Sequence, residues 1–177
     1  IEEKSELIKT LKKDGLLVLN NDSEVVLEMK NKTRSLVSTF GFGEESDVRA
    51  SEDNISYTKE GVPSGMVFRV DIEGNSLPVQ IGGVLGKSHV YITLGALAVA
   101  SGLKLNILEA INKLKNYITP RGRMCLLAGI NGSYIIDDSY NSSPIACKSA
   151  VETLGNIKIS GKKIAILGDM LELGRHT

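Results

Sequence analysis

Apolar positions along the first third of the chain alternate between helical and strand spacing. Ile1, Leu7, Ile8 and Leu11, with Lys4 on the same face, predict a helix over residues 1–13 that Asp14-Gly15 ends. Leu16-Leu17-Val18-Leu19 reads as a short buried strand. The turn Asn20-Asn21-Asp22-Ser23 can cap a second helix running to about Asn31. Leu36–Phe40 is a further strand, closed by Gly41-Phe42-Gly43. Strand, helix, strand in this order predicts a parallel sheet with crossover helices.

From Val48 to Val84 the pattern shortens into β segments at Ile55–Tyr57, Met66–Ile72 and Leu77–Ile81, with Glu73-Gly74-Asn75 as a hairpin turn. Helices return at about His89–Ser101 and Ile107–Ile118. In the second, Ile107, Ile111, Leu114 and Ile118 form the apolar stripe, and Asn106 with Glu109 fits a capping box. Thr119-Pro120-Arg121-Gly122 breaks the helical pattern and divides the chain into segments 1–118 and 119–177. Beyond it, strands are expected at Met124–Ala128 and Tyr134–Ile136 around the turn Asn131-Gly132. A helix is expected from Ser143-Pro144, and a buried strand at Lys163–Leu167. The fold class is therefore α/β: a mixed sheet with helices and an extra small β segment, then the start of a second α/β unit.

Composition narrows the function classes. Lys plus Arg and Asp plus Glu are both 21, so no net charge marks a nucleic-acid or anionic-membrane partner. Cys125 and Cys147 have neither metal-ligand spacing nor a nearby His, which points to a reducing cytoplasm. No apolar run approaches ~18 residues, so no membrane span is expected. A monomer is the default. The chain starts without Met inside a helical pattern and stops just after a turn-forming Gly, so both ends read as cut.

Gly82-Gly83-Val84-Leu85-Gly86-Lys87-Ser88 nearly spells a phosphate-binding loop, but Ile81 stands where its first Gly is required and an antiparallel strand precedes it. A structural turn before a helix is the expected reading. More chemistry lies in Tyr134–Ser149, where Asp137 and Asp138 follow a buried strand and a Ser-Pro helix start comes soon after. At the carboxyl end of an α/β strand such acids can hold ribose hydroxyls beside a helix end that favours anions. A solvated turn with acidic caps explains the same residues.

Asp137-Asp138-Ser139-Tyr140-Asn141-Ser142-Ser143-Pro144 resembles the Asp-Asp-Ser-Tyr-Asn-Ala-Asn-Pro stretch of the Mur ligases, in their D-alanyl-D-alanine-adding branch. Gly168-Asp169-Met170-Leu171-Glu172-Leu173-Gly174 and Gly122-Arg123-Met124 look like two further motifs of that branch in the right order. The likeness extends through Glu3-Lys4-Ser5-Glu6 and Asn20-Asn21-Asp22. The resemblance implies the later part of a central ATP-binding domain, over 1–118, and the first part of a C-terminal ligase domain, over 119–177. It implies ATP-dependent peptide-bond formation through an acyl phosphate, with ATP and Mg²⁺, joining D-alanyl-D-alanine to UDP-N-acetylmuramoyl-tripeptide. It also implies a piece that is inactive alone, its phosphate loop lying upstream. Another Mur ligase, a folylpolyglutamate-synthase-like ligase, or a non-catalytic nucleotide-binding module are the alternatives.

By the same resemblance Arg123 matches an arginine that reaches ATP across the domain junction, and Asp138 matches the acid on the nucleotide ribose. Tyr140 and Asn141 match positions near the nucleotide. Lys4 matches a lysine carried as a carbamate that helps hold Mg²⁺; a solvated lysine is its other reading. The family's central helix often opens with a His-Asn pair and has another Asn three residues later, where this chain has Ser88-His89 and Ile92. His89 is expected either to take over an adenine or ribose contact or to cap the helix. His176 matches nothing.

Overall fold

The apolar run Leu16–Leu19 forms β1 (Leu16–Asn20), which pairs in parallel with β2 (Leu36–Gly41) from Leu16↔Leu36 to Asn20↔Phe40. The run is continuous because β1 is covered on both faces. Val18 joins the main core, whereas Leu17 and Leu19 turn to a smaller cluster with Ile8, Leu11, Val26 and Met29. The computed structural model describes the backbone of residues 2–171 and 173, and the side chains of all of these except Glu2 and Lys4. The Lys4 assignment and most of the end of the Gly168–Gly174 motif therefore fall outside the described residues.

The segment after Val48 is not a separate β unit. β3 (Val48–Tyr57) runs parallel to β2 over Phe40↔Val48 and Gly41↔Arg49, then antiparallel to β4 (Pro63–Ile72), which pairs with β5 (Asn75–Gly82). The result is one five-stranded mixed sheet in sequence order. Only Ile55–Tyr57 of β3 was expected, because Ser51-Glu52-Asp53-Asn54 is polar. Glu52 has φ 54°, and the register shifts between Ser51 and Asn54, so the strand continues through a bulge. The Glu73-Gly74 turn between β4 and β5 has φ 50° and 75°, the left-handed pair that a two-residue hairpin requires.

Alternation along β4 buries Met66, Phe68, Val70 and Ile72 on one face. Against this sheet lies α3 (Lys87–Gly102), which buries Val90, Leu94, Leu97 and Ala98. α4 (Ile107–Leu114) adds Ile107, Ile111 and Leu114 to the same core, and its cap is the expected one, with Asn106 accepting from the Glu109 N–H at 3.2 Å. It ends at Leu114, four residues short of expectation. The turn that follows brings Tyr117 toward α3 and leaves Ile118 87% exposed, outside the stripe.

Two other helices are shorter than their patterns. α1 covers Glu2–Lys9, and the second helix is split into α2 (Glu24–Leu27) and a 3₁₀ turn over Glu28–Lys32. The β-branched pair Val25-Val26 contributes little helix propensity there. Beyond the linker, β6 (Cys125–Ala128) and β7 (Tyr134–Asp137) make an antiparallel hairpin, and α5 (Pro144–Asn156) begins at the expected Ser143 cap. Lys163–Leu167 is not a strand. It pairs with nothing among the described residues, and Ile166 is 93% exposed; an apolar run becomes a strand only where a ladder partner is present.

The core does not stop at the linker. Met124 and Ile157 are buried with the sheet and α3, and Ala150 and Leu154 of α5 pack against the same core. The hairpin is also sewn to the end of β5: the Leu126 N–H donates to Gly83 O at 3.1 Å and the Leu85 N–H to Met124 O at 3.2 Å. Phe68 is 1% exposed at the centre of this core. Phe68→Ala should lower unfolding free energy by about 3–5 kcal/mol, and Leu103→Ala, on the surface, by no more than ~0.5 kcal/mol, both measured by urea denaturation.

Candidate nucleotide-facing site at the linker

Residues 119–124 are held from both sides. From the hairpin, Asp137 Oδ2 accepts from the Gly122 N–H at 3.1 Å and Asp138 Oδ1 accepts from the Met124 N–H at 3.1 Å. The Tyr140 N–H donates to Gly122 O at 3.1 Å. Gly122 has φ 74°, and a Cβ there would lie 2.7 Å from Tyr140 N, so both the turn and the close approach require glycine. The acids of the sequence motif thus act partly as caps of the linker turn.

From the other side comes His89 in the first turn of α3. Its ring is 2% exposed, with Nδ1 at 3.0 Å from the Tyr117 hydroxyl and Nε2 at 2.9 Å from Arg123 O. A carbonyl oxygen only accepts, so Nε2 carries the proton and Nδ1 accepts from Tyr117. Thr119 Oγ1 donates to the same Arg123 carbonyl at 3.2 Å. Both ring nitrogens are therefore committed, and the helix cap is Gly86. The expected adenine or ribose contact of His89 does not fit this geometry. Burial holds the imidazole pKa below its ordinary value, against the Arg123 carbonyl and the charge of Asp138, which favour protonation.

Outside this clasp, three of the expected residues meet at one exposed surface. The Arg123 guanidinium lies over the Tyr140 ring, 4.3 Å from its centroid, and the ring is 71% exposed. Asp138 is half-buried beside them; burial raises its carboxyl pKa, opposed by the Met124 N–H and the charges of Arg123 and His89. Asp137 is lowered by the Ser139 hydroxyl, and both its oxygens are engaged, Oδ1 by Ser139 and Oδ2 by Gly122. Only Oδ1 of Asp138 is engaged in this way, so Asp138 keeps an oxygen for another donor. Asn141 is exposed next in sequence, its Oδ1 accepting from the Ser142 N–H at 3.0 Å. An exposed planar cation on an aromatic ring, beside a carboxylate, is a donor–acceptor set that suits a nucleotide: polyanion, base and ribose hydroxyls.

The Gly82–Ser88 stretch is a turn and not a phosphate cradle. The N–H groups of Gly83, Leu85 and Gly86 go to Ser64 O, Met124 O and Met66 Sδ. The Lys87 ammonium sits 4.7 Å from the Phe42 ring centroid and 3.8 Å from Asp53. A second cluster, unforeseen in the sequence, closes the carboxyl ends of β1 and β2. Asp22 accepts from the N–H groups of Phe42 and Gly43 at 2.7 and 2.9 Å and from the Tyr91 hydroxyl at 2.8 Å. Burial opposes ionisation of Asp22, but these bonds and Lys87 together hold its carboxyl pKa low. Burial, and then Asp22, raise the Tyr91 phenol. An acid two residues past a strand end was the available signal.

Residues 1–100 match the Mur ligase middle domain, and residues 122–177 match the glutamate ligase domain of Mur ligases. The chain belongs to the Mur ligase family. It is 30% identical over 98% of its length to the UDP-N-acetylmuramoyl-tripeptide–D-alanyl-D-alanine ligase of Bacillus subtilis, covering 35% of that protein. It is 27% identical over 94% of its length to a UDP-N-acetylmuramoyl-L-alanyl-D-glutamate–2,6-diaminopimelate ligase of Chlamydia felis, covering 33% of it. The fold also matches the MurF ligase of Thermotoga maritima, solved in complex with ADP, with TM-score 0.73 and 22% identity over 88% of this chain and 34% of that one. The chain thus spans about a third of the length of these relatives.

In this Mur ligase segment Gly122→Ala should cost roughly 1–3 kcal/mol, because it forces a left-handed φ on a residue with a Cβ. Gly155→Ala, in α5 with nothing within 4 Å of the added carbon, should be neutral or stabilising. Differential scanning calorimetry separates the two. His89 also sets a pH dependence. Its folded pKa is lowered, so below the ordinary imidazole value of 6.5 the unfolded chain binds more protons than the folded one. Its contribution to stability is full above that value and is lost as pH falls toward the folded pKa. Asp138, with a raised pKa, works in the opposite sense as pH rises above 3.8. The urea midpoint of wild type should therefore lose, on acidification below 6.5, a component that is missing in His89→Gln.

Proposed function

We propose that this segment forms the ribose- and phosphate-facing wall of the ATP site in a peptide-bond-forming ligase that adds D-alanyl-D-alanine to UDP-N-acetylmuramoyl-tripeptide. The observation that carries the reading is the exposed Arg123–Tyr140 stack beside the open oxygen of Asp138, in a Mur ligase chain. The likeness to the Bacillus subtilis ligase supports the amine substrate. In the reaction a tripeptide carboxylate oxygen attacks the γ-phosphorus of ATP, giving an acyl phosphate and ADP. The D-alanyl-D-alanine amine then adds to the acyl carbon, and the tetrahedral intermediate collapses to the amide with loss of phosphate. Arg123 is assigned to the phosphate charge that builds during transfer, Asp138 to a ribose hydroxyl, and Tyr140 and Asn141 to the nucleoside.

Mg²⁺ would offset phosphate charge in such a reaction. Among the described residues no three His, Cys, Asp or Glu side chains gather into a cation site, so no step is assigned to the metal here. Lys4, whose backbone lies in α1, is the proposed carbamate that would help hold Mg²⁺. Residues 1–118 are assigned to the central domain and 119–177 to the ligase domain. No described helix is long and apolar enough to cross a membrane. The whole enzyme is proposed to act as a cytoplasmic monomer.

In the full-length protein Arg123→Ala and Asp138→Ala should each weaken ATP binding about 10–100-fold, the scale of a lost charge-assisted hydrogen bond, by isothermal titration calorimetry. Unchanged affinity and turnover in both would remove the site assignment. Phosphate release should depend on D-alanyl-D-alanine and not on diaminopimelate; the reverse preference places the enzyme in the branch of the Chlamydia felis relative. The 177-residue chain alone should release no phosphate.

A further inference from the structure

His89 is buried, yet it is not an ordinary core residue. Both ring nitrogens are spent on groups at or just before the linker, and its Nε2–H is aimed at the backbone carbonyl of Arg123 itself. We infer that His89 is a positioning residue: as the Nε2–H tautomer, braced at Nδ1 by Tyr117, it fixes the Arg123 backbone so that the guanidinium leaves the linker on the Tyr140–Asp138 side. The inference rests on the nucleotide reading above for its functional consequence, while the clasp itself can be measured without nucleotide.

The geometry supports each link. α3 is anchored by Val90, Leu94 and Leu97, each no more than 1% exposed, so the imidazole projects from a rigid element. The Arg123 carbonyl, which can only accept, excludes the other neutral tautomer, because an Nδ1–H would leave Nε2 without a proton to offer it; the Tyr117 hydroxyl then donates to Nδ1. On the far side of the linker, Asp138 takes the very next N–H, that of Met124. The peptide between Arg123 and Met124 is thus held by its carbonyl from α3 and by its N–H from the end of β7. A peptide fixed at both poles has one orientation, and the side chain of Arg123 is carried with it. Arg123 also bridges the two clasps: its carbonyl faces His89 and Thr119, and its guanidinium faces Tyr140. The charged or titratable groups around the ring are, among the described residues, Arg123 and Asp138 from the linker and hairpin and Tyr117 from the turn after α4; Thr119 adds an uncharged hydroxyl.

The side-chain amide of Gln offers the same pair, an N–H donor and an oxygen acceptor, at a similar reach. His89→Gln should therefore retain the clasp, while His89→Leu, of similar bulk, removes it. Tyr117→Phe deletes only the hydroxyl and guards against a misfolded His89 variant. In the full-length protein, ¹⁵N NMR of labelled histidine should show His89 as a single neutral Nε2–H tautomer at pH 7, kept in Tyr117→Phe because the Arg123 carbonyl still requires that proton. Hydrogen exchange of the peptide containing residues 119–126, read without nucleotide, should speed up about 5–10-fold in His89→Leu and stay within about twofold of wild type in His89→Gln. The KM for ATP should follow the same order, with the KM for the amine substrate unchanged.

An Nδ1–H tautomer, or exchange unaltered in His89→Leu, overturns the inference. Faster exchange with an unchanged KM for ATP also overturns it where Arg123→Ala does weaken ATP binding. The nucleotide reading fails separately, and is recognised by Arg123→Ala having no effect on ATP while the tautomer and exchange results stand as expected.

Discussion

The hydrogen bond from the buried His89 Nε2 to the carbonyl of Arg123, 2.9 Å long, joins the helix of the first segment to the linker that opens the second. Its strength comes from where it sits. Thr119 Oγ1 is the second donor to that carbonyl, at 3.2 Å, and the imidazole proton adds a further hydrogen bond worth about 0.5–1.5 kcal/mol. Burial favours the neutral ring, lowering the imidazole pKa against the Arg123 carbonyl and the charge of Asp138.

Around that bond the structure is arranged in two layers of constraint. The apolar layer is continuous across the linker: Phe68, Leu85 and Leu94 on one side, Met124 and Ile157 on the other. It fixes position but not orientation, because burial is indifferent to direction. The polar layer supplies orientation. Asp137 and Asp138 receive the N–H groups on either side of Arg123, and Gly122 admits the close backbone approach that lets Tyr140 return its own N–H. Among the groups left over by these bonds are the second oxygen of Asp138, the Arg123 guanidinium and the exposed Tyr140 ring. That residue of unspent chemistry is the proposed nucleotide surface.

Much of this was legible in the sequence, and the exceptions have physical reasons. The Asn106 and Ser143 caps, the Glu73-Gly74 turn and the parallel pairing of the first two strands follow from local chemistry or from period, and each is found as expected. The length of β3 was hidden because a polar run at a bulge breaks alternation without breaking the ladder. The Lys163–Leu167 run illustrates the converse: its apolar composition was readable, but pairing belongs to a partner the composition does not reveal. At the site, Asp137 and Asp138 were alike in type and spacing, and the resemblance alone singled out Asp138; the hydrogen bonds separate the carboxylate that is fully used from the one that is not. His89 stood out as a departure from the family pattern, yet its direction toward the linker depends on Tyr117, which the helical stripe had hidden by seeming to run on to Ile118.

The proposed nucleotide surface at Arg123 and Tyr140 is open to photolabelling of the full-length protein with 8-azido-ATP, followed by mass spectrometry of the labelled peptides. The expected adduct lies on the peptide carrying Asp138–Asn141, and excess ATP should suppress it. An ATP-protected adduct found only on peptides remote from residues 119–141 would contradict it.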